Sequence, residues 1–212
     1  MSQSRQAVIG SAVRTPMGSF NGVFSSVPAT HLGSIAIAEA LKRSRVPPER
    51  VDNVLMGCVL SAGLGQAPAR QASIGAGIPY SVGATTVNKV CGSSITTVIN
   101  ACQAIALGEA GIVVAGGMEN MTRAPYLLER ARQGYRLGNA EIVDSLIKDG
   151  LWDVYNDFHM GNAGELCAAK YRLTRREVDD FALESYRRAR QAIADGTFRP
   201  EIVPVEVAQR KG

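Results

Sequence analysis

Short apolar runs alternate with segments of helical periodicity over the first 117 residues of the chain. The apolar runs are rich in β-branched and small residues, and they predict four buried strands at residues 7–13, 54–60, 84–90 and 111–117. Apolar positions recur near helical spacing between these runs, which predicts helices at residues 31–45, 66–76 and 92–107. The resulting order, β-α-β-α-β-α-β, predicts the α/β class with a mixed, largely parallel sheet between helices.

Local signals mark the expected ends and surroundings of these helices. Thr30 is the expected N-cap of the first helix, and Pro47 and Pro48 are expected to end it. Residues 92–107 contain no charged side chain, so we expect a buried helix there.

Charge divides the chain near residue 120. Residues 1–120 contain 13 charged side chains and 15 glycines, whereas residues 121–212 contain 29 charged side chains and 7 glycines. The first region is therefore predicted to be a densely buried α/β core, and the second a more solvated, mainly helical layer that covers it.

The charged region has its own start and stop signals. Thr174 and Glu177 have the spacing of a capping box, which predicts a helix through about Asp195 that Gly196 stops. An apolar run at residues 202–207 predicts one further strand.

Composition excludes several classes of protein. With 212 residues, 46% apolar and 20% charged, the chain is expected to be globular rather than disordered. The net charge is only +4, and basic and acidic side chains are mixed along the chain, which disfavours a nucleic-acid partner. We identify no apolar run near the roughly 18 residues needed to span a membrane and no signal-peptide core, so we expect a cytoplasmic protein without a membrane partner. The four cysteines lack the Cys-x-x-Cys spacing of zinc sites, so we expect free thiols and no metal.

Cys91 is the candidate nucleophile. It lies in NKVCGSS, at the predicted turn between the third strand and the charge-free helix. The free N–H groups and positive dipole end of that helix favour a thiolate and could also hold an oxyanion. The small residues Gly92, Ser93 and Ser94 leave room for a substrate. Position alone does not separate this role from that of a buried packing cysteine.

The other cysteines have weaker positions. Cys102 lies 11 residues further along the same predicted helix, about 16 Å away at 1.5 Å per residue, which is too far to partner Cys91. Cys58 is predicted to be core, and Cys167 to pack within a helix.

Two histidines could serve as a base for the thiol. His31 begins the first predicted helix, where a surface or capping role is expected. His159 lies among glycines and small residues before a predicted helix, so it could be a base for Cys91, line a ligand site, or be an ordinary loop residue.

Several long motifs resemble those of the thiolases, in particular the acetyl-CoA acetyltransferases and their 3-ketoacyl-CoA thiolase relatives. They are SAVRTPMGSFNG at 11–22, MGCVLSAGLGQAPARQASIGAGIP at 56–79, NKVCGSS at 88–94, GGMENMTRAPY at 116–126, SLIKDGLWD at 145–153 and HMGNAGELCAAKY at 159–171. The resemblance covers nearly the whole chain. It implies a thiolase-like α/β half, followed by a mainly helical loop domain that covers the coenzyme A site.

The resemblance also implies a mechanism. Cys91 matches the nucleophile that takes the acyl group of a 3-ketoacyl-CoA as a thioester, with the Cys91 amide in one of two oxyanion holes. His159 and Met160 match residues that line the pantetheine arm of coenzyme A, which favours substrate binding over the role of base, and Leu151 is expected to touch the same arm. Glu119 and Asn120 match a motif near the site and are expected to be structural. Coenzyme A is then a substrate rather than a resident cofactor, and the complete protein is expected to be a homodimer or homotetramer.

The chain departs from the family pattern at its end. A thiolase has a second α/β half that supplies a Gly-His-Pro histidine, a water-holding asparagine and a glycine-flanked second cysteine, and none of these motifs occurs here. The last strand of the first half is also expected beyond Gly212, so the sheet is expected to be incomplete. A smaller departure is GNAGELC at 161–167, where the family more often has an Ala-Glu-Asn run.

Three interpretations therefore stay open. The chain is the nucleophile-bearing N-terminal part of a thiolase, or a catalytically incomplete thiolase-like chain that binds coenzyme A or acts as a scaffold. A decarboxylating condensing enzyme of the ketoacyl-synthase type would share the fold and the nucleophile, but the VRTP, GGMEN and HMG motifs favour the thiolases.

Overall fold

A three-stranded parallel sheet forms the centre of the computed structural model, which describes residues 5–208. Its strands are β1 (Asn53–Gly57), β2 (Gly83–Val87) and β3 (Val113–Gly117), in the order β2-β1-β3. Gly57 at the end of β1 pairs with Val87 of β2 and Gly117 of β3, so all three strands end at one edge. The carboxyl ends of parallel strands are where α/β proteins place their sites.

Helices cover both faces of this sheet, which confirms the α/β prediction. On one face, α1 (Ala29–Ser44) and α2 (Pro68–Gly75) share a buried core with alternate residues of β1 and the position after it: Val54, Met56 and Cys58. On the other face lies α3 (Ser93–Leu107), where the buried Thr97 hydroxyl donates a 3.0 Å hydrogen bond to the Gly116 carbonyl of β3. Three of the four strands predicted in this region are therefore present, each within a few residues of its expected bounds.

The predicted first strand, residues 7–13, is wrong as a strand. Val8 and Ile9 are 84% and 80% exposed, and the segment forms no regular secondary structure and no ladder with other described residues. The predicted strand at 202–207 likewise forms only a single parallel bridge, from Arg14 to Ile202. An apolar run becomes a strand only where a neighbouring edge accepts its backbone hydrogen bonds, and residues 5–208 provide that pairing only at Arg14.

Two helix predictions also need correction. Helix α1 begins at Ala29 after Pro28, so Thr30 lies inside the first turn and makes no capping bond. Helix α3 is buried only along the side that faces the sheet, at Ser93, Thr97 and Ala101. Its opposite stripe, with Ile95 and Ile99 61% and 48% exposed, is uncovered in residues 5–208.

The apolar segment around this helix corrects the expectation that no apolar run approaches about 18 residues, and it leaves the expectation of no membrane partner a prediction. Residues 90–107 form an 18-residue window with a mean hydropathy of 1.4, long and apolar enough by length and composition to cross a bilayer. Core helices of soluble proteins meet the same criterion, and α3 packs on the sheet through one side.

Beyond the sheet, the chain forms two short antiparallel hairpins and two helices. The first pair is β4 (Tyr126–Leu127) with β5 (Val143–Asp144), and the second is β6 (Trp152–Asp153) with β7 (Phe158–His159). A π-helical turn, Leu146–Leu151, lies between the two pairs, and the helices α4 (Met160–Tyr171) and α5 (Arg175–Ala194) follow. The capping box of α5 is present as predicted, with Thr174 and Glu177 bonded to each other's backbone amides, and Gly196 follows the helix with φ 73°. Neither α4 nor α5 contains a buried residue, so Cys167 is exposed rather than packed.

Candidate active site

Cys91 lies in the turn between β2 and α3, at the edge where the parallel strands end. Its side chain is exposed, and Gly92 is the N-cap of α3, so the thiol stands directly before the first helical turn. The structure therefore places Cys91 where its sequence position predicted, at the amino end of the helix.

Hydrogen bonds on both sides of Cys91 close this turn. The Ser93 hydroxyl accepts from the Lys89 amide at 2.8 Å and donates to the Val90 carbonyl at 2.6 Å. The Gly92 and Ser93 amides donate to the Lys89 and Val90 carbonyls at 3.0 and 3.1 Å. Four bonds thus tie residues 89–90 to residues 92–93, and Cys91 stands between them.

Val90 holds a strained backbone conformation immediately before Cys91. Its φ is 48°, in the left-handed region that a β-branched residue rarely adopts. Such a residue costs on the order of 1–3 kcal/mol and persists only where its surroundings impose it. Here the Asn88 carboxamide oxygen accepts from the Val90 amide at 3.0 Å, and the Asn88 carboxamide nitrogen donates to the Val59 carbonyl at 3.5 Å.

Two paired glycines let the amino end of α3 approach the sheet. A Cβ on Gly57 would lie 2.8 Å from the Ser93 Cβ and the Ser94 amide nitrogen, and a Cβ on Gly117 would overlap the Ser94 hydroxyl. Gly57 and Gly117 are register partners across β1 and β3, so together they form a flat floor beneath the first turn of the helix. Sequence reasoning missed this pair, although glycines at the ends of two apolar strands were a visible signal.

A cavity of about 320 Å³ opens at this point. It is lined by the ends of β1 and β3 and by the turn around Cys91: Gly57, Cys58, Val59, Val90, Cys91, Ser93, Ser94, Gly117, Met118 and Glu119. None of these lining residues is a histidine, so the described part of the chain brings a thiol to the cavity without an imidazole base beside it.

Glu119 ties together the loops that follow β1 and β3. Its carboxylate accepts from the Val59 and Leu60 amides at 2.8 and 3.2 Å, and the Cys58 thiol donates to it at 3.7 Å. Burial, with the adjacent Glu119 carboxylate, raises the pKa of the Cys58 thiol to about 12. Cys58 therefore stays protonated near neutral pH and is a core residue, as predicted, while Cys91 is exposed.

Asn120 has a similar bracing role. Its carboxamide donates to the Phe24 and Val27 carbonyls at 2.8 and 2.7 Å, which fastens the loop before α1 to the end of β3. Both Glu119 and Asn120 thus make the structural contacts expected of their motif.

The predicted pantetheine-lining residues lie together on the β6–β7 hairpin and its flanks. Leu151 ends the π-helical turn before β6, His159 ends β7, and Met160 begins α4. Trp152 pairs with His159, so Leu151 and Met160 flank that pair. Leu151 and His159 are half-buried and Met160 is 41% exposed, and none of the three lines the Cys91 cavity.

His159 also has a defined orientation. Its Nδ1 accepts the Gly161 amide at 3.0 Å, which caps α4. In a neutral ring the proton is then on Nε2, which can donate to a ligand. His31 lies exposed in the first turn of α1, as expected for a surface role.

A second cavity, of about 390 Å³, lies in the loop between β4 and β5 and is lined by residues 129–143 such as Glu129, Arg130 and Tyr135. It contains none of the candidate catalytic groups. Within residues 5–208, no cluster of three histidine, cysteine or carboxylate side chains could hold a metal ion.

Comparison with known proteins agrees with this arrangement. The family described as thiolase, N-terminal domain, matches residues 7–212. The chain is 55% identical over 208 residues to acetyl-CoA acetyltransferase 2 of Arabidopsis thaliana, covering 98% of this chain and 52% of that protein. It is 52% identical over 205 residues to the acetyl-CoA acetyltransferase of Cupriavidus necator, with coverages of 97% and 52%.

A solved structure gives the same result for the fold. The Acat5 thiolase from Ascaris suum, crystallised in complex with coenzyme A, superimposes with a TM-score of 0.92 at 42% identity, covering 96% of this chain and 53% of that one. The chain thus spans about half the length of the relatives it matches.

The family model matches nearly all of the chain, and the α/β fold and the cysteine at the amino end of α3 agree with that match. The chain therefore belongs to the thiolase family, and residues 7–212 correspond to the thiolase N-terminal domain.

Proposed function

We propose that this chain is the nucleophile-bearing part of an acetyl-CoA acetyltransferase, which interconverts acetoacetyl-CoA and coenzyme A with two molecules of acetyl-CoA. The observation that carries the proposal is the exposed Cys91 at the amino end of α3, in a cavity floored by two glycines. Relatives at 50–55% identity that carry this name support it. The coenzyme A complex of the Ascaris suum thiolase supports coenzyme A as the substrate.

In the proposed reaction, the Cys91 thiolate attacks the 3-keto carbon of acetoacetyl-CoA. The bond between C2 and C3 breaks, and its electron pair passes to the departing acetyl-CoA enolate, which takes up a proton. The acetyl group stays on Cys91 as a thioester, until the thiolate of a second coenzyme A attacks its carbonyl and Cys91 leaves. Because the Gly92 and Ser93 amides are already used inside the turn, the geometry favours the Cys91 amide as an oxyanion donor.

The remaining catalytic groups are proposed to come from a C-terminal half. The cavity contains no histidine, and Glu119 already accepts three donors, so neither supplies a base for Cys91. We call this chain together with such a half the completed enzyme. The alternative is a catalytically incomplete, thiolase-like chain that binds coenzyme A or acts as a scaffold. The intact mass of the natural protein separates the two, since a mass near 22.5 kDa without a partner chain favours the alternative.

Acetyl transfer to the thiol is the direct test of this proposal. Incubation of the completed enzyme with acetoacetyl-CoA is expected to leave an acetyl group on Cys91, detected by peptide mass spectrometry after an acid quench. Cys58 serves as an internal control, because its buried, protonated thiol is expected to stay unlabelled at neutral pH. Label confined to Cys58, Cys102 or Cys167 would refute the proposed nucleophile.

His159 is proposed to bind the pantetheine arm through its Nε2–H, with Met160 and Leu151 as apolar neighbours. His159→Ala in the completed enzyme is expected to raise KM for coenzyme A substrates about tenfold and to lower kcat less, because ground-state binding is lost. Steady-state kinetics against acetoacetyl-CoA measure both constants. A loss in kcat alone would instead indicate that His159 acts as a base.

We also propose a cellular location and an assembly state. The four cysteines form no disulfide, which is consistent with a cytoplasmic enzyme.

The uncovered apolar stripe of α3 is consistent with further protein packed against it. We propose a homodimer or homotetramer of the completed enzyme, which light scattering of the purified protein would measure.

A further inference from the structure

We propose that Ser93 is a positioning residue for Cys91, whose hydroxyl holds Val90 in its left-handed conformation and thereby orients the nucleophile. The inference rests on the proposed function of Cys91 and extends it to a side chain that takes no part in the chemistry.

The Ser93 hydroxyl is buried and fully engaged. The residue is 4% exposed, and its oxygen both accepts from the Lys89 amide and donates to the Val90 carbonyl. A serine hydroxyl at a helix start ordinarily accepts an amide from the turn ahead. The Ser93 hydroxyl instead bonds to Lys89 and Val90, the two residues that precede Cys91.

The bond to the Val90 carbonyl helps to hold Val90 in its strained conformation, and the bond to the Lys89 amide fixes the residue before it. A β-branched residue at φ 48° returns to the extended or right-handed region unless its peptide groups are restrained. The Val90 amide is restrained by Asn88, and the Val90 carbonyl by the Ser93 amide and hydroxyl. Loss of the hydroxyl removes the two bonds that cross Cys91 from this side chain, one to the Lys89 amide and one to the Val90 carbonyl. Rotation of the Val90–Cys91 peptide then moves the Cys91 side chain.

The first experiment compares two buried serines in the completed enzyme. Ser93→Ala is expected to slow acetylation of Cys91 by acetoacetyl-CoA about 10- to 100-fold, measured by quenched-flow labelling, with KM changed less than twofold. Ser34→Ala is the matched control. Ser34 is 5% exposed, and its hydroxyl also donates to the carbonyl three residues earlier, that of His31, but it lies on α1 across the sheet. We expect Cys91 to be acetylated at the parental rate in that variant. A slower rate in Ser93→Ala alone then indicates a role specific to Ser93 rather than the general effect of removing a buried hydroxyl.

The second experiment is a rescue. Glycine adopts positive φ without steric cost, so Val90→Gly added to Ser93→Ala is expected to restore acetylation to within about threefold of the single variant Val90→Gly. A merely structural role for Ser93 predicts that the two changes combine without rescue.

A third comparison keeps the test decisive if Ser93→Ala does not fold. Ser93→Thr and Ser93→Val have the same shape, and only threonine keeps the hydroxyl. We expect Cys91 in the valine variant to react at least about fivefold more slowly with iodoacetamide, because the thiol leaves its place at the positive end of α3. Equal alkylation rates in the two variants, or parental acetylation in Ser93→Ala, overturn the inference. An absence of acetyl label on Cys91 in the unmutated enzyme instead overturns the proposed function, and the alkylation comparison still decides the role of Ser93.

Discussion

Cys91→Ser in the completed enzyme is expected to lower kcat by more than about 10³-fold, the largest effect of any single substitution in this chain. The serine hydroxyl ionises far less readily than a thiol and forms an ester that coenzyme A cleaves more slowly than a thioester. The side chain is exposed and almost the same size, so the free energy of unfolding is expected to change by less than about 0.5 kcal/mol.

Thiolysis of acetoacetyl-CoA, followed by the loss of enolate absorbance, measures this change. Cys102→Ser is the matched control, because Cys102 is an exposed cysteine on α3, the helix that follows Cys91, and lies 11 residues beyond it. We expect that variant to keep parental kcat. Turnover within tenfold of the parent in Cys91→Ser would rule out Cys91 as the nucleophile.

Gly57→Ala is expected to lower kcat about 100-fold and to destabilise the fold by about 1–3 kcal/mol. Its Cβ would stand 2.8 Å from the Ser93 Cβ and the Ser94 amide nitrogen and 2.9 Å from the Ser93 carbonyl carbon. Two of these three atoms are backbone, so no side-chain rotation relieves the overlap. The first turn of α3 must move away from the sheet, and Cys91 moves with it.

Gly116→Ala tests whether any alanine in this sheet has the same effect. Gly116 pairs with Met56 next to the glycine floor, but its added Cβ would meet only the Met56 side chain, with the sulfur at 3.5 Å and Cε at 3.8 Å, both ordinary contacts. We expect kcat within about twofold of the parent.

The kcat of Gly117→Ala should lie between those of the other two variants, because the atom that its Cβ overlaps most is the Ser94 hydroxyl, which can rotate. Chemical denaturation and steady-state kinetics on the three variants give the order, and equal kcat in Gly57→Ala and Gly116→Ala would contradict the packing argument.

Much of the fold was predictable because its signals are local. Three strands and three helices of the first 117 residues were expected from apolar periodicity, and the α5 capping box from two residues three positions apart. The expected strand at residues 7–13 failed for the opposite reason. Apolar composition shows that a segment can pair, but pairing requires a partner edge, and the periodicity of one segment contains no information about the other.

The site was predictable in part. A cysteine between a strand and an uncharged helix made Cys91 a candidate, because a helix always presents its free amides at that end. The family motif around it then favoured the role of nucleophile over that of a packing cysteine. The restraint of Val90 by Asn88 and Ser93 was not expected, nor was the bond from Cys58 to Glu119, which joins residues 61 positions apart.

The sequence by itself determined the class of the fold, the family motifs and the choice of Cys91 as the candidate nucleophile, since each depends on residues close together along the chain. Only the tertiary structure decided that Gly57 and Gly117 meet beneath one helical turn, and that one side of α3 stays uncovered within the described residues. It also separated the thiols chemically: Cys58 is held protonated by burial beside a carboxylate, while Cys91 is exposed at a helix end. Burial and packing depend on which distant segments meet in space, and that is fixed only when the sheet has formed.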